Sequence, residues 1–253
     1  MSTEARAAGW PEGTARIVLP EVDSTLNEAV RRFDSLRSPA WILALNQTAA
    51  RGRRGRVWTH PAGNFAATLV LPGPLAPASA ALRSFVASLA LHDAFAAATG
   101  RAGSFALKWP NDVLLNGGKV AGMLLETIGP RGTALSIGIG VNLAQAPGAD
   151  QVEAGALRPV SLLSETGASV SPAEFLDLLA PAYARYEAQF VTYGFAPIRS
   201  AWLARAARLG EQITARLPAE EVTGRFDTVD EQGQLVLSTP QGLRRIAAAD
   251  VFF

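Results

Sequence analysis

Four clusters in this 253-residue chain have the residue types and spacing of a site that handles charge. The first, Arg51-Gly52-Arg53-Arg54-Gly55-Arg56, puts four guanidiniums into six residues, with two glycines between them. A strand would splay alternate side chains to opposite faces, whereas a glycine loop can wrap them around one multi-oxygen anion. Taken alone, the run reads equally as a solvated basic loop or as a nucleic-acid-binding module. Aromatic interleaving is minimal, however, and the formal net charge is only +1, with no basic stripe elsewhere. A loop that closes on a phosphorylated small molecule fits better than one that binds nucleic acid.

The second cluster is Lys108-Trp109-Pro110-Asn111-Asp112. Pro110 would break a central ladder, so the strand should stop there and present Asn111 and Asp112 at its mouth. Asn111 offers a donor and an acceptor, and Asp112 a carboxylate for Mg²⁺ or an amine; the pair is also an ordinary turn composition. In the third, Lys119-Val120-Ala121-Gly122-Met123-Leu124-Leu125-Glu126, a glycine inside a strand marks close approach of a ligand or another backbone. Lys119 could then point into the space that the arginine loop surrounds, or it is simply a surface lysine on a hairpin. The fourth, Gly138-Ile139-Gly140-Val141-Asn142, lacks the third glycine and the following helix that dinucleotide binding requires.

Composition narrows the chemistry. There is no cysteine, which excludes disulfide frameworks, thiolate metal sites and thiol nucleophiles. Two histidines, His60 and His92, argue against a multi-histidine metal site. Of 23 basic residues, 21 are arginine, and the two lysines are Lys108 and Lys119. Either the chain simply prefers arginine, or lysine survives where a compact point charge cannot be replaced by a planar guanidinium. With 49% apolar residues a sizeable core is available and a disordered chain is excluded. No signal peptide and no membrane-length apolar run of about eighteen residues is visible. Arg83, His92 and Asp93 interrupt the alanine-rich stretch 79–99, so a cytoplasmic chain is expected.

These clusters need strands to carry them. Residues 1–13 read as a flexible tail. Strands are expected at 15–19, 41–45, 65–71, 105–109, 113–115, 119–128 and 134–141, with a positive-φ turn at Asn116-Gly117-Gly118. Helices are expected at 23–36, opening with a Thr25/Glu28 capping box, from about 79, at 173–193 with a kink or break near Pro181, and at 197–208. After Gly210 short strands follow at 212–217, 222–229, 234–238 and 243–247, the pattern of a small SH3-like β-barrel. The fold class expected is therefore α+β: a mixed sheet with helices mainly on one face over 14–208, and the barrel over 209–253.

The clusters, in this order and with these gaps, resemble the biotin protein ligases. The matching residues are Asp23-Ser24-Thr25, Gln47 with the arginine loop and Trp58, Lys108 to Asp112, the Lys119-x-x-Gly122-x-Leu124-x-Glu126 strand, and Gly138 to Asn142. Weaker likeness continues through Ser161-Leu162 and the stretch VTGRFDTVDEQGQLVL, so the resemblance spans roughly 15–251. No single element is specific; the combination is. Two positions depart from the family pattern. Ala50 stands where a glycine usually precedes the loop, which reduces its freedom, and Leu26 replaces a residue that is often polar.

The resemblance implies a catalytic domain like that of class II aminoacyl-tRNA synthetases, and a two-step reaction. Biotin and ATP give biotinyl-5′-AMP and pyrophosphate, and a lysine of the biotin carboxyl carrier protein, an acetyl-CoA carboxylase subunit or similar, then takes the biotin. It implies Ser24, Thr25, Gln47, Arg51, Arg53, Lys119, Gly122 and Leu124 around biotin, and Arg51, Arg53, Arg56, Trp58, Asn111, Lys119 and Asn142 around the adenylate. Lys119, Arg53 and Asp112 would carry the catalysis, with Mg²⁺ held mainly by the ATP phosphates and Asp112 as a further metal contact or an amine base. Fewer than twenty residues precede the first strand, so the type without a DNA-binding domain is expected. A homodimer through an exposed strand edge is a further expectation. The lipoate or octanoate ligases and transferases, which share a related fold, are the alternative; they lack the Lys108 to Asp112 motif.

Overall fold

The computed structural model describes residues 9–73, 75–148 and 157–253. Most of the expected tail, residues 1–8, lies outside the described residues. Of residues 9–13, Trp10 is held in place: its indole donates to the Thr14 carbonyl at 2.7 Å and lies under the Arg16 guanidinium.

A seven-stranded sheet is built from β1 (Ala15–Leu19), β2 (Ala40–Ala44), β3 (Phe65–Pro72), β4 (Phe105–Lys108), β5 (Asp112–Leu115), β6 (Gly118–Ile128) and β7 (Ala134–Val141). Its order is β1-β2-β3-β7-β6-β5-β4, antiparallel throughout except for the parallel β1–β2 pair. The strand alternation separates two faces. Trp41, Leu43, Ala67, Leu69, Ala121, Met123, Ile137 and Ile139 point into the main core. The helices α2 (Pro77–Thr99) and α4 (Pro172–Tyr193) cover that side. The kink or break expected near Pro181 does not divide α4, which runs through the proline as one helix started by a Ser171/Glu174 capping box. The short α3 (Leu162–Thr166) and α5 (Phe195–Leu203) complete the helical layer.

One end of the opposite face is covered by a helix. There α1 (Thr25–Arg32) packs Ala29 against Ile42, Val70, Ile128 and Ala134. Its start differs from the sequence reading: Ser24, not Thr25, is the N-cap, accepting from the Leu26 N–H at 3.2 Å. Glu28 instead forms ion pairs with Arg31 and Arg32, so no capping box forms. The helix also ends at Arg32, followed by one 3₁₀ turn.

The C-terminal segment folds as a five-stranded antiparallel sheet, in keeping with the SH3-like expectation. Its strands are β8 (Gln212–Arg216), β9 (Glu221–Val229), β10 (Leu235–Thr239), β11 (Gly242–Ile246) and β12 (Asp250–Phe252), in the order β11-β10-β9-β8-β12. It is continuous with the main core through Ile213, Val222, Phe226 and Val229, and Trp109 donates its indole N–H to the Gly233 carbonyl at 3.0 Å. The three-residue β12 was not expected from sequence.

Candidate active site

The uncovered part of the sheet is floored by glycine. Gly122 on β6 and Gly140 on β7 are direct register partners, and Gly138 lies two residues from Gly140 on the same face. A methyl group on Gly140 would come within 2.6 Å of the Trp58 indole, and one on Gly138 within 2.8 Å of Leu26. The glycines therefore let Trp58 and Leu26 lie directly on the sheet. For Leu26 this means an apolar contact with the floor.

The same register row continues outward. Gly122 pairs with Asp112, and Asp112 with Lys108, so these side chains share the open face. Lys119 is three residues from Gly122, an odd spacing that in a regular strand would send it to the other side. A bulge solves this: the β5–β6 register shifts between Val113 and Leu114, and Lys119 comes back onto the face of Gly122. A methyl group on Gly122 would stand 3.3 Å from the Lys119 Cε.

The resulting charge cluster is tight. Lys119 Nζ lies 2.7 Å from Asp112 Oδ1, and Lys108 Nζ 3.6 Å from Asp112 Oδ2. Burial would by itself raise the pKa of Asp112. The charges of Lys119 and Lys108 and of nearby Arg53 outweigh it and hold the carboxyl below its ordinary range. Burial pushes Lys108 the other way, downward, with the Asp112 charge opposing. Asp112 is thus committed to two ammonium groups, which does not fit the expected metal contact. Among the described residues no group of three His, Asp or Glu could hold a metal ion.

The arginine loop is a short hairpin. Arg51 bridges Val57, the Gly52 N–H donates to the Arg56 carbonyl at 2.8 Å, and Trp58 N–H to the Ala50 carbonyl at 3.0 Å. Its tip turns through left-handed Arg54 and Gly55, at φ 57° and 72°. Two carboxylates anchor it. Arg51 makes a two-pronged pair with Glu126, Nη2 donating to Oε2 at 2.8 Å, and this raises the Arg51 pKa. Asp250 on β12 accepts from Arg54 at 2.8 Å and Arg56 at 3.1 Å, with Arg53 at 3.5 Å. Arg53 also donates to the Asn111 Oδ1 and the Ala249 carbonyl, each at 3.3 Å. Burial lowers the Arg53 pKa, with the charges of Asp250 and Asp112 opposing.

At the α1 end, Gln47 Oε1 accepts from the Thr25 N–H at 2.7 Å and the Thr25 hydroxyl at 3.1 Å, and Thr68 donates to that hydroxyl at 2.9 Å. Across the sheet, Asn142 donates its amide to the Val160 carbonyl at 3.1 Å, while its buried Oδ1 has no partner among the described residues. Asn111 donates to the Met123 carbonyl, so its amide braces the turn as well as facing the opening.

One cleft of about 480 Å³ joins these groups. Ser24, Thr25, Gln47, Arg51, Arg53, Arg56, Trp58, Asn111, Asp112, Lys119, Gly122, Leu124 and Asn142 all line it. Arg54 does not. The sequence reading missed one wall, made by Asp250, Val251 and Phe252 of β12 with Phe253 after it, together with Pro159; Lys108, already singled out by its motif, lines the cleft as well. The run of apolar residues after Asp250 was the available signal, but it ends a small barrel and points nowhere by itself. Polar groups at one end, an apolar floor and a cationic rim suit a ligand with an apolar body and an anionic head.

This fold and cleft define a class of enzymes that join small carboxylic acids to proteins: residues 18–143 match the Biotin/lipoate A/B protein ligase family, and residues 209–253 the Biotin protein ligase C terminal domain. The chain is 58% identical over 238 residues to a Biotin--[acetyl-CoA-carboxylase] ligase of Paracoccus denitrificans, covering 93% of this chain and 99% of that one. It belongs to the biotin protein ligases. A bifunctional ligase/repressor of Bacillus subtilis is 30% identical over 215 residues, covering 83% of this chain and 65% of that protein. The fold matches that of a biotin protein ligase from Aquifex aeolicus solved in complex with biotin and ATP. The TM-score is 0.81 at 25% identity, over 94% of this chain and 98% of the other.

Proposed function

We propose that the chain is an ATP-dependent ligase that activates biotin as biotinyl-5′-AMP and passes the biotin to a lysine of the carrier subunit of acetyl-CoA carboxylase. The observation that carries this reading is the convergence of Lys119 with Arg51, Arg53 and Arg56 over a glycine floor between two polar ends. Attack of a carboxylate on a phosphate is opposed by mutual repulsion, and cations fixed around both anions remove that opposition. In this reading Lys119 touches the biotin carboxylate and the α-phosphate together, while the three arginines grip phosphate oxygens and keep water from the anhydride. Ser24, Thr25 and Gln47 hydrogen-bond the ureido ring, and Gly122 and Leu124 accept the apolar part of biotin. Trp58, Asn111 and Asn142 take the adenylate, the unpartnered Asn142 Oδ1 offering an acceptor to an amino group.

Mg²⁺ would enter as the ion chelated by ATP rather than on a protein site, since Asp112 is occupied by two lysines. ATP–pyrophosphate exchange driven by biotin and not by lipoate tests substrate and reaction class together. Exchange with lipoate alone would move the chain to the alternative. For a homodimer through a strand edge, β1 is the candidate in the main sheet, since an Ala206 bridge to Leu107 occupies the outer edge of β4; β11 and β12 end the C-terminal sheet. Sedimentation with and without biotin and ATP tests it. Among the described residues no helix is long and apolar enough to cross a membrane.

A further inference from the structure

Both lysines of this chain sit on one carboxylate. Lys119 and Lys108 share Asp112, at 2.7 and 3.6 Å, and every other basic side chain apart from the two histidines is an arginine. Under the function proposed above, the cleft builds an acyl–phosphate anhydride whose task is to acylate a lysine amine. It builds it against its own Lys119, which at 32% side-chain exposure is open to the cleft. Proximity alone would make that amine the first acceptor. An ammonium has no free electron pair and cannot attack, and a guanidinium stays charged throughout.

We propose that Asp112 guards the enzyme against its own product: it holds Lys119 as the ammonium, so that the carrier's lysine is the acceptor and the chain does not acylate itself. The proposal rests on the ligase reading and changes the part Asp112 plays in it. The reaction it prevents is complete in itself. From a neutral Lys119, Nζ would bond to the biotinyl carbonyl carbon, the carbon–oxygen bond to phosphate would break, AMP would leave with that electron pair, and the amine's proton would pass to solvent. The site would lose the cation that its first step requires. A carboxylate shared by Lys119 and Lys108, with Arg53 nearby and Asp250 beyond Arg53, is stabilised as the anion. It is accordingly a poor base for the incoming amine, and Asp112 acts as a positioning residue through Lys119.

The test is peptide mass spectrometry of Lys119 without carrier protein. Wild-type enzyme is incubated with biotin and ATP, beside dissolved Nα-acetyl-lysine amide as a free-amine reference. Asp112→Asn and Asp112→Ser are supplied with synthetic biotinyl-5′-AMP, which bypasses any loss of their adenylation step. We expect the reference amine to be biotinylated while wild-type Lys119 is not, and the adduct on Lys119 to rise on the order of tenfold or more in the variants, as loss of an adjacent opposite charge requires. Biotin on wild-type Lys119, or variants that retain the adenylate on gel filtration with Lys119 unmodified, would overturn the proposal. Failure of the ligase reading shows elsewhere, as absence of biotin-dependent pyrophosphate exchange in the wild type.

Discussion

Asp250 is the residue whose removal tests the loop arrangement most directly. Its carboxylate, 14% exposed, accepts from Arg54 and Arg56 and faces Arg53 at 3.5 Å, and so ties the hairpin tip to the last strand of the chain. Asp250→Asn keeps the shape and removes the charge. Arg54 and Arg56 are 46% and 45% exposed, so each of their pairs contributes under about 1 kcal/mol. Arg53 is more deeply set, and burial already disfavours its charge, so it loses more when the nearest compensating carboxylate is neutralised. Together the loss is about 1–2 kcal/mol, or roughly 5- to 30-fold in the population of the ordered loop. In biotin-dependent ATP–pyrophosphate exchange, KM for ATP should rise by that factor, with kcat changed less because Lys119 is untouched. The defect should also shrink at high salt, since exposed pairs are screened in the parent as well. A KM for ATP within about twofold of the parent, the scatter of a neutral surface change, would refute the idea that Asp250 positions the loop.

Three further outcomes follow from the same geometry. Lys119→Ala should lower adenylation on the order of a hundredfold or more, since loss of one charge-stabilising donor costs about 2.7–4 kcal/mol of barrier; near-parental pyrophosphate release by this variant would remove Lys119 from the reaction. Gly140→Ala should displace Trp58 from the floor, because the new methyl group would lie 2.6 Å from the indole; weaker ATP binding at little cost to the unfolding midpoint is the expected calorimetric result. His60 is buried and its pKa is pushed below the ordinary 6.5 by desolvation, so the unfolded chain takes the proton first as pH falls. Stability should therefore be complete above 6.5, decline as pH drops through 6.5, and level off once the native ring is protonated; urea midpoints of His60→Gln should show a flatter slope in that window. The lowered carboxyls, such as Asp93, are held below their ordinary range, so the stability they confer is lost only at more acid pH and does not contribute there.

What the sequence made legible, and what it hid, divides along a physical line. The strands of the main sheet could be read because alternation and turn residues are local properties; Asn116 and Gly117 do take the positive φ their types suggest. The Lys119-x-x-Gly122 spacing was visible as a motif, but its geometry was not. Three residues apart on a strand means opposite faces, and only the bulge opposite Val113 and Leu114 puts the two groups side by side. A bulge belongs to a pair of strands, and a single strand's sequence does not specify its partner's register.

The capping box failed for a related reason. Thr25 and Glu28 have the right spacing, yet Gln47 claims the Thr25 N–H and hydroxyl, while Arg31 and Arg32 claim Glu28. Local propensity lost to partners brought in by the fold. Asp250 is the extreme instance: it stands 196 residues from Arg54, at the end of a barrel that composition marks as an appendage. The two lysines show the converse. Their scarcity was apparent from a residue count, but a count cannot say that both amines converge on one buried carboxylate. That convergence is what turns a compositional bias into a chemical statement, because an amine beside an anhydride is harmless only while something holds its proton.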